Sequence, residues 1–325
     1  MNRKSYRSLF WPVLLIGVGA IWLLSNFGVI PRENLAMLGS LWPLILIVIG
    51  LDLLFGRQSP LGGVLIGVVA VGIAVVVLVA GSALGLSTSG VLRHESIREP
   101  LGEASRAEIT LDLSSQPARL YGLSNSTNLL EAEIDYFGEL RFISSGESLR
   151  RIRLERVQSN PSFTFSADPT ARWEVGLTPS IPLELTVDGS SGSAEMDLSA
   201  LQLAELEIDQ SSGRMEIQLP AGVEPYTARI DGGSGSLQIT LPEEGNLTLR
   251  LEGSSGSIQI LTGGEIPLRL EIRNDGSGSV NLPNWLNRVS GSDKEGVWES
   301  ASYAGAENPI LIICEDLGSG SFTIR

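Results

Sequence analysis

The sequence predicts a membrane region of three transmembrane α-helices followed by an all-β domain, a β-solenoid or rolled sheet of 21- to 22-residue, two-strand repeats. Three observations predict it. Long charge-free runs are confined to the first 92 residues. A Gly-Ser turn motif recurs at near-constant spacing from residue 188 onward, and apolar residues alternate on both sides of each turn. A β-sandwich of the same strands is the alternative. The constant period favours the solenoid, because sandwich loops vary more in length.

The helical region covers residues 1–87. Leu9 to Ile30, Asn34 to Leu51 and Ser59 to Leu92 contain no charged residue. A bilayer core needs about 20 apolar residues at about 1.5 Å each, so helices are expected near 9–27, 36–55 and 62–86. The first two look like copies, Phe10-Trp11-Pro12-Val13-Leu14 and Leu41-Trp42-Pro43-Leu44-Ile45, with Gly19 and Gly50 equally far from each Trp-Pro. Proline suits a first helical turn and tryptophan the headgroup level. Trp11, Pro12, Trp42 and Pro43 therefore mark membrane interfaces. Gly17, Gly19, Gly62, Gly63, Gly67 and Gly72 could let helices approach closely, or be ordinary membrane glycines.

A signal peptide is the competing reading of the first segment, since Arg3, Lys4 and Arg7 precede it, but no small-residue cleavage site follows closely. With the N-terminus cytoplasmic, Arg3, Lys4, Arg7 and Arg57 lie inside and Arg32, Arg93 and Arg98 outside, the favoured sense. Three crossings then put the β domain outside the cytoplasm. Asp52 falls at the cytoplasmic interface beside Arg57.

Residues 88–105 read as a linker and 106–325 as the β domain. The whole chain of 325 residues carries a formal −14, with 23 basic and 37 acidic residues. From residue 88 onward, 18 basic face 35 acidic residues, a formal −17. Such a balance lacks the footprint for phosphate backbones, so no nucleic-acid partner is expected. The repeated turns are Asp188-Gly-Ser-Ser-Gly192, Asp209-Gln-Ser-Ser-Gly213, Asp231-Gly-Gly-Ser-Gly235, Glu252-Gly-Ser-Ser-Gly256, Asp275-Gly-Ser-Gly278 and Asp316-Leu-Gly-Ser-Gly320. Their last glycines step by 21, 22, 21, 22 and 42 residues. Alternation follows, as in Met215-Glu-Ile217-Gln-Leu219, the signature of a strand buried on one face. Such units cannot bury an apolar face alone, so neighbours must stack.

Two atypical stretches interrupt the array, near 130–180 and 283–309. They hold Tyr136, Phe137, Phe163, Phe165, Trp173, Trp285, Trp298 and Tyr303. End caps would look like this, and so would a partner-binding face built on Trp285, Trp298 and Tyr303.

The Trp-Pro helices resemble the LiaI/LiaF-like transmembrane region of bacterial envelope proteins. The Gly-Ser repeats, the tail from Trp298-Glu-Ser-Ala-Ser-Tyr303 to Asn308-Pro-Ile310 and the terminal Gly318-Ser-Gly-Ser-Phe-Thr-Ile look like the toastrack domain of cell-wall-active antibiotic response proteins. The repeats also resemble adhesin domains. The resemblance implies a non-enzymatic protein of the bacterial cytoplasmic membrane that senses or regulates envelope stress through a membrane or envelope protein partner, such as a sensor kinase. A surface-displayed structural or adhesin-like module is the alternative. No catalytic residue and no cofactor come with the resemblance.

One histidine and one cysteine exclude an internal disulfide and a zinc site of Cys/His composition. Nucleophilic catalysis with a histidine would have to run through His94, which reads as a solvated linker residue. Cys314 falls in the apolar column of Val187, Ile208, Ile230, Leu251 and Ile272, which makes it a small core hydrophobe. The acids Asp188, Asp209, Asp231, Glu252, Asp275 and Asp316 would stack about 4.8 Å apart, an unfavourable arrangement unless compensated. Ca²⁺ is one compensation. The other is that each acid accepts hydrogen bonds from its own turn, the reading favoured by acids that precede their glycines. Glycosidase chemistry needs only two carboxylates, but the alternating acids show no such pairing.

Overall fold

The computed structural model describes residues 10–27, 42–51, 60–80, 92–114, 116–157, 171–222, 224–253 and 255–325. It divides into two compact units, one with the helices and one with the strands.

Three helices form the first unit: α1 (Phe10–Asn26), α2 (Trp42–Leu51) and α3 (Pro60–Ala80). None contains a charged residue. Pro12, Pro43 and Pro60 all lie in first turns, where a missing N–H costs nothing. The helices are apolar all round: α1 exposes Leu15, Ile16 and Trp22, and α3 exposes Leu65, Val68 and Val76. Gly17 does allow close packing, since a Cβ there would collide with Val71 of α3, whereas Gly19, Gly50 and Gly72 face open space. Val48 and Ala70 pack together with Ile66. Among the described residues no helix is long and apolar enough to cross a membrane, so three spanning helices stay an expectation from sequence. Asp52 lies outside the described residues.

The second unit is all-β: an 11-stranded and a 10-stranded sheet, here sheet 1 and sheet 2, with a shared apolar core. Its repeating piece is a rung, one strand in sheet 1, a turn, and one strand in sheet 2. The regular rungs are β8 (Pro182–Gly189) with β9 (Ser193–Asp197), β10 (Gln202–Gln210) with β11 (Arg214–Gln218), β12 (Tyr226–Asp231) with β13 (Ser236–Thr240), and β14 (Leu247–Glu252) with β15 (Ser257–Leu261). Successive rungs pair in parallel in both sheets. The regular array keeps the expected period of 21 or 22 residues per rung. The turns join strands of opposite sheets and not hairpin partners. Leu185, Val187, Leu206, Ile208, Ala228, Ile230, Leu249 and Leu251 in sheet 1 meet Met196, Met215, Ile217, Leu237, Ile239 and Ile260 in sheet 2, all at most 2% exposed. Each large aliphatic side chain so buried contributes about 1.5–3 kcal/mol.

Rung order in space departs from chain order at both ends. The early rung β2 (Arg106–Ser114) with β3 (Ala118–Gly122) lies directly on β8–β9. The stretch near 130–180 is more than a cap: β6 (Leu149–Val157) and β7 (Trp173–Leu177) add a rung outside β2–β3. Beyond it, β5 (Glu139–Ser145) extends sheet 1, and β4 (Asn128–Tyr136) then β1 (Arg93–Pro100) extend sheet 2, all antiparallel. Residues 88–105 are thus not simply a linker, because β1 forms eight register pairs with β4 and buries Ile97. At the other end, the rung β16 (Leu268–Ile272) with β17 (Ser279–Asn281) does not pair with β14–β15. The C-terminal rung, β20 (Ile310–Asp316) with β21 (Ser321–Ile324), is inserted between them, parallel to both. The stretch near 283–309 supplies a hairpin, β18 (Asn287–Gly291) and β19 (Gly296–Glu299), that continues sheet 1 beyond β16.

Candidate functional site

The turns line up along one lip of the rung stack. Their last glycines form a column, Gly192, Gly213, Gly235, Gly256, Gly320 and Gly278. A Cβ at any of the last five would collide with the carbonyl oxygen of the neighbouring glycine, so close stacking of rungs demands glycine there. Serines flank the column. Ser257 Oγ donates to Ser236 Oγ at 3.3 Å, and the hydroxyls of Ser255 and Ser319 lie 3.4 Å apart. This lip is a shallow groove of hydroxyl and peptide groups, lined among others by Ser234, Ser236, Ser255, Ser257, Ser319 and Ser321.

Beside it runs the acid column. Asp188, Asp209, Asp231, Glu252 and Asp316 are in register, and Asp112 joins them. Asp231 Oδ1 accepts from Gly233 N at 3.0 Å and Asp316 Oδ1 from Gly318 N at 2.8 Å. At these two positions the acid is engaged with its own turn. Asp275 leaves the column: it is buried with its carboxylate 3.0 Å from Lys294 Nζ, and Asn274 serves the turn in its place, accepting from Gly276 N at 3.0 Å. Partial burial, and then the charges of Asp112 and Asp209, raise the pKa of Asp188 above the ordinary aspartate value. Among the described residues no group of three or more His, Cys, Asp or Glu side chains is arranged to hold a metal ion.

The aromatic residues separate. Trp298 is buried in the core, opposite Leu270 on β16, because its strand joins sheet 1. It is not available as a partner-binding face. Trp285 is half-buried against the same core and Tyr303 is half-buried in a 3-10 turn. Trp173 is fully buried, Tyr136 is buried with its hydroxyl donating to Glu95 at 2.9 Å, and Phe163 and Phe165 lie outside the described residues.

His94 is on β1, not in a free linker. Its Nδ1 lies 2.8 Å from Asp135 Oδ1 and its Nε2 3.1 Å from Glu133 Oε2, both on β4. The hydrogen bond to Asp135 raises its pKa above the usual 6.5; partial desolvation opposes it, and the charges of Asp135 and Glu133 then add to the rise. Ser96 Oγ donates to Glu133 at 2.7 Å and not to the imidazole, so no activated nucleophile is assembled there. Cys314 is fully buried in the expected column, in register with Leu251 and Ile272, and burial pushes its thiol pKa far up.

Sequence reasoning missed an arginine ladder on the outer face of sheet 1. Arg229 pairs with Glu205, Arg106 with Glu184, and Arg269 with Glu271 and Glu299. Glu315 is clamped from both sides, with Oε1 2.6 Å from Arg250 Nη1 and Oε2 2.6 Å from Arg273 Nη1. The signal was present in the outward positions of the alternating strands, where Arg229 and Arg250 occupy equivalent places.

The fold and its lip define a class: an all-β domain of two large mixed sheets whose rungs stack through Gly-Ser turns, in a chain with an apolar helical region. Residues 90–240 match the N-terminal domain of toast_rack, DUF2154, and residues 9–54 match the LiaI-LiaF-like transmembrane region. The chain thus carries one stretch similar to each of these two families, the LiaI-LiaF-like stretch first. Among solved structures, a candidate cell adhesion protein from Clostridium sporogenes is 17% identical with a TM-score of 0.50, over 72% of this chain and 98% of its own. At that identity the likeness shows the fold alone. A candidate adhesin from Bacteroides fragilis is 10% identical with a TM-score of 0.27, over 73% of this chain and 99% of its own. No curated protein matches the chain.

Proposed function

We propose that this chain is a non-enzymatic, multi-pass protein of the bacterial cytoplasmic membrane that senses or regulates envelope stress by engaging a membrane or envelope protein, such as a sensor kinase, through its β domain. The single observation that carries this reading is the union in one chain of a LiaI-LiaF-like transmembrane region with a toast-rack domain. The charge-free runs near 9–27, 36–55 and 62–86 support three passes, with the N-terminus cytoplasmic and the β domain outside. The β domain supports a recognition role: a rigid, periodic stack with a hydroxyl-lined lip and an acidic border, which suits a polar protein surface better than a small enclosed ligand. The test is deletion of the gene followed by transcript profiling with and without a membrane-active antibiotic. A changed envelope-stress regulon is expected. An unchanged transcriptome under both conditions overturns the reading, and loss of surface attachment without a regulatory change points to the structural, adhesin-like alternative.

A further inference from the structure

The C-terminal rung occupies a slot whose two walls also fit each other. Gly256 and Gly278 are 22 residues apart, the step that separates directly stacked rungs, yet β20–β21 lies between the rungs that carry them. The connection from β15 to β16, residues 262–267, is as short as that from β13 to β14, residues 241–246, although it passes over an extra rung. Both walls keep one register against β20: Leu249, Arg250 and Leu251 on one side and Leu270, Glu271 and Ile272 on the other oppose Ile312, Ile313 and Cys314. With the insert removed, the walls could close with leucine against leucine and Arg250 against Glu271. The insert is joined to the hairpin by residues 300–309 and is held by apolar burial of Ile310, Ile312, Cys314, Phe322 and Ile324 and by the Arg250–Glu315–Arg273 clamp.

We propose that the slot between β14–β15 and β16–β17 is an exchangeable docking site that accepts the C-terminal rung of a second copy in place of its own. An exchanged rung makes the same parallel ladders, core contacts and clamp as the native one, so exchange loses none of them. The walls, able to close on each other, keep the rest of the stack folded while the slot is empty. This inference rests on the fold alone and is independent of the proposed envelope role.

The experiment uses the full-length protein in detergent micelles, with a fluorescein-labelled peptide of residues 307–325 carrying Cys314→Ala. Fluorescence anisotropy reads peptide uptake, and a thiol reagent reads exposure of the chain's own Cys314, its only cysteine. The expected result is uptake by the wild-type chain together with Cys314 reactivity below the denaturant concentration that unfolds the β domain. Glu315→Gln, and separately Arg273→Gln, should speed both by at least about tenfold, because a charge-assisted hydrogen bond to the insert is lost. Cys314 that reacts only on global unfolding, absence of peptide uptake, or equal uptake of a peptide carrying Phe322→Asp overturns the proposal.

Discussion

At the residue scale the glycine column shows how much of the chain's composition is a packing requirement. Gly256 is needed because a Cβ would overlap the carbonyl oxygen of Gly235 one rung away, whereas a Cβ on Gly263 would meet nothing within 4 Å. Gly256→Ala is therefore expected to cost about 1–3 kcal/mol, the usual range for forcing extra volume into a closed contact, and Gly263→Ala to leave stability nearly unchanged. Urea unfolding of the full-length protein, followed by circular dichroism, measures both; equal midpoints for the two variants would refute the stacking argument. The glycines were visible in the sequence as turn residues. Their reason was not, because the colliding atoms belong to a residue about 21 positions away.

At the element scale, β1 is the edge strand of sheet 2 and is fastened to β4 by its backbone ladder and by His94 between Glu133 and Asp135. Arg93, Glu95 and Ser96 flank the imidazole on its own strand; with β1 at the edge, the acids facing it come from β4. The pKa of His94 is raised in the folded state, so its contribution is fully present below the unfolded value of 6.5 and fades as pH rises through the raised folded value. Protection of β1 amides against hydrogen exchange, corrected for intrinsic rates, should fall as pH rises from 6.5 through the raised folded value. His94→Asn should flatten that change, and a wild-type profile identical to the variant's would show that the clasp does nothing. Sequence reading placed this strand in a linker, because Arg93-His-Glu-Ser-Ile97-Arg-Glu-Pro100 has a single strongly apolar residue. An edge strand needs little burial when its partner supplies the ladder. The regular strands were legible for the opposite reason: each has a buried face that imposes alternation, as in Leu237-Gln-Ile239-Thr-Leu241.

For the whole molecule, the proposed three passes put the chain's two ends on opposite sides of the membrane. An alkaline phosphatase fused after Arg325 should be active and a green fluorescent protein at the same place dark, and the reverse pattern would place the β domain in the cytoplasm and change the class of partner. The apolar runs before residue 93 and the acid excess after residue 87 are composition, readable without any structure. The same holds for the 21- to 22-residue rung and for the core position of Cys314, since short-range alternation and a fixed period are local properties that one chain displays in order. What tertiary structure alone decided is which rungs are neighbours. A parallel ladder has no sequence label for its partner: any strand with the right apolar column fits the next edge. The slot for β20–β21 and the clamp on Glu315 from Arg250 and Arg273 follow from that choice, because both join residues that only the threading of the last rung brings together.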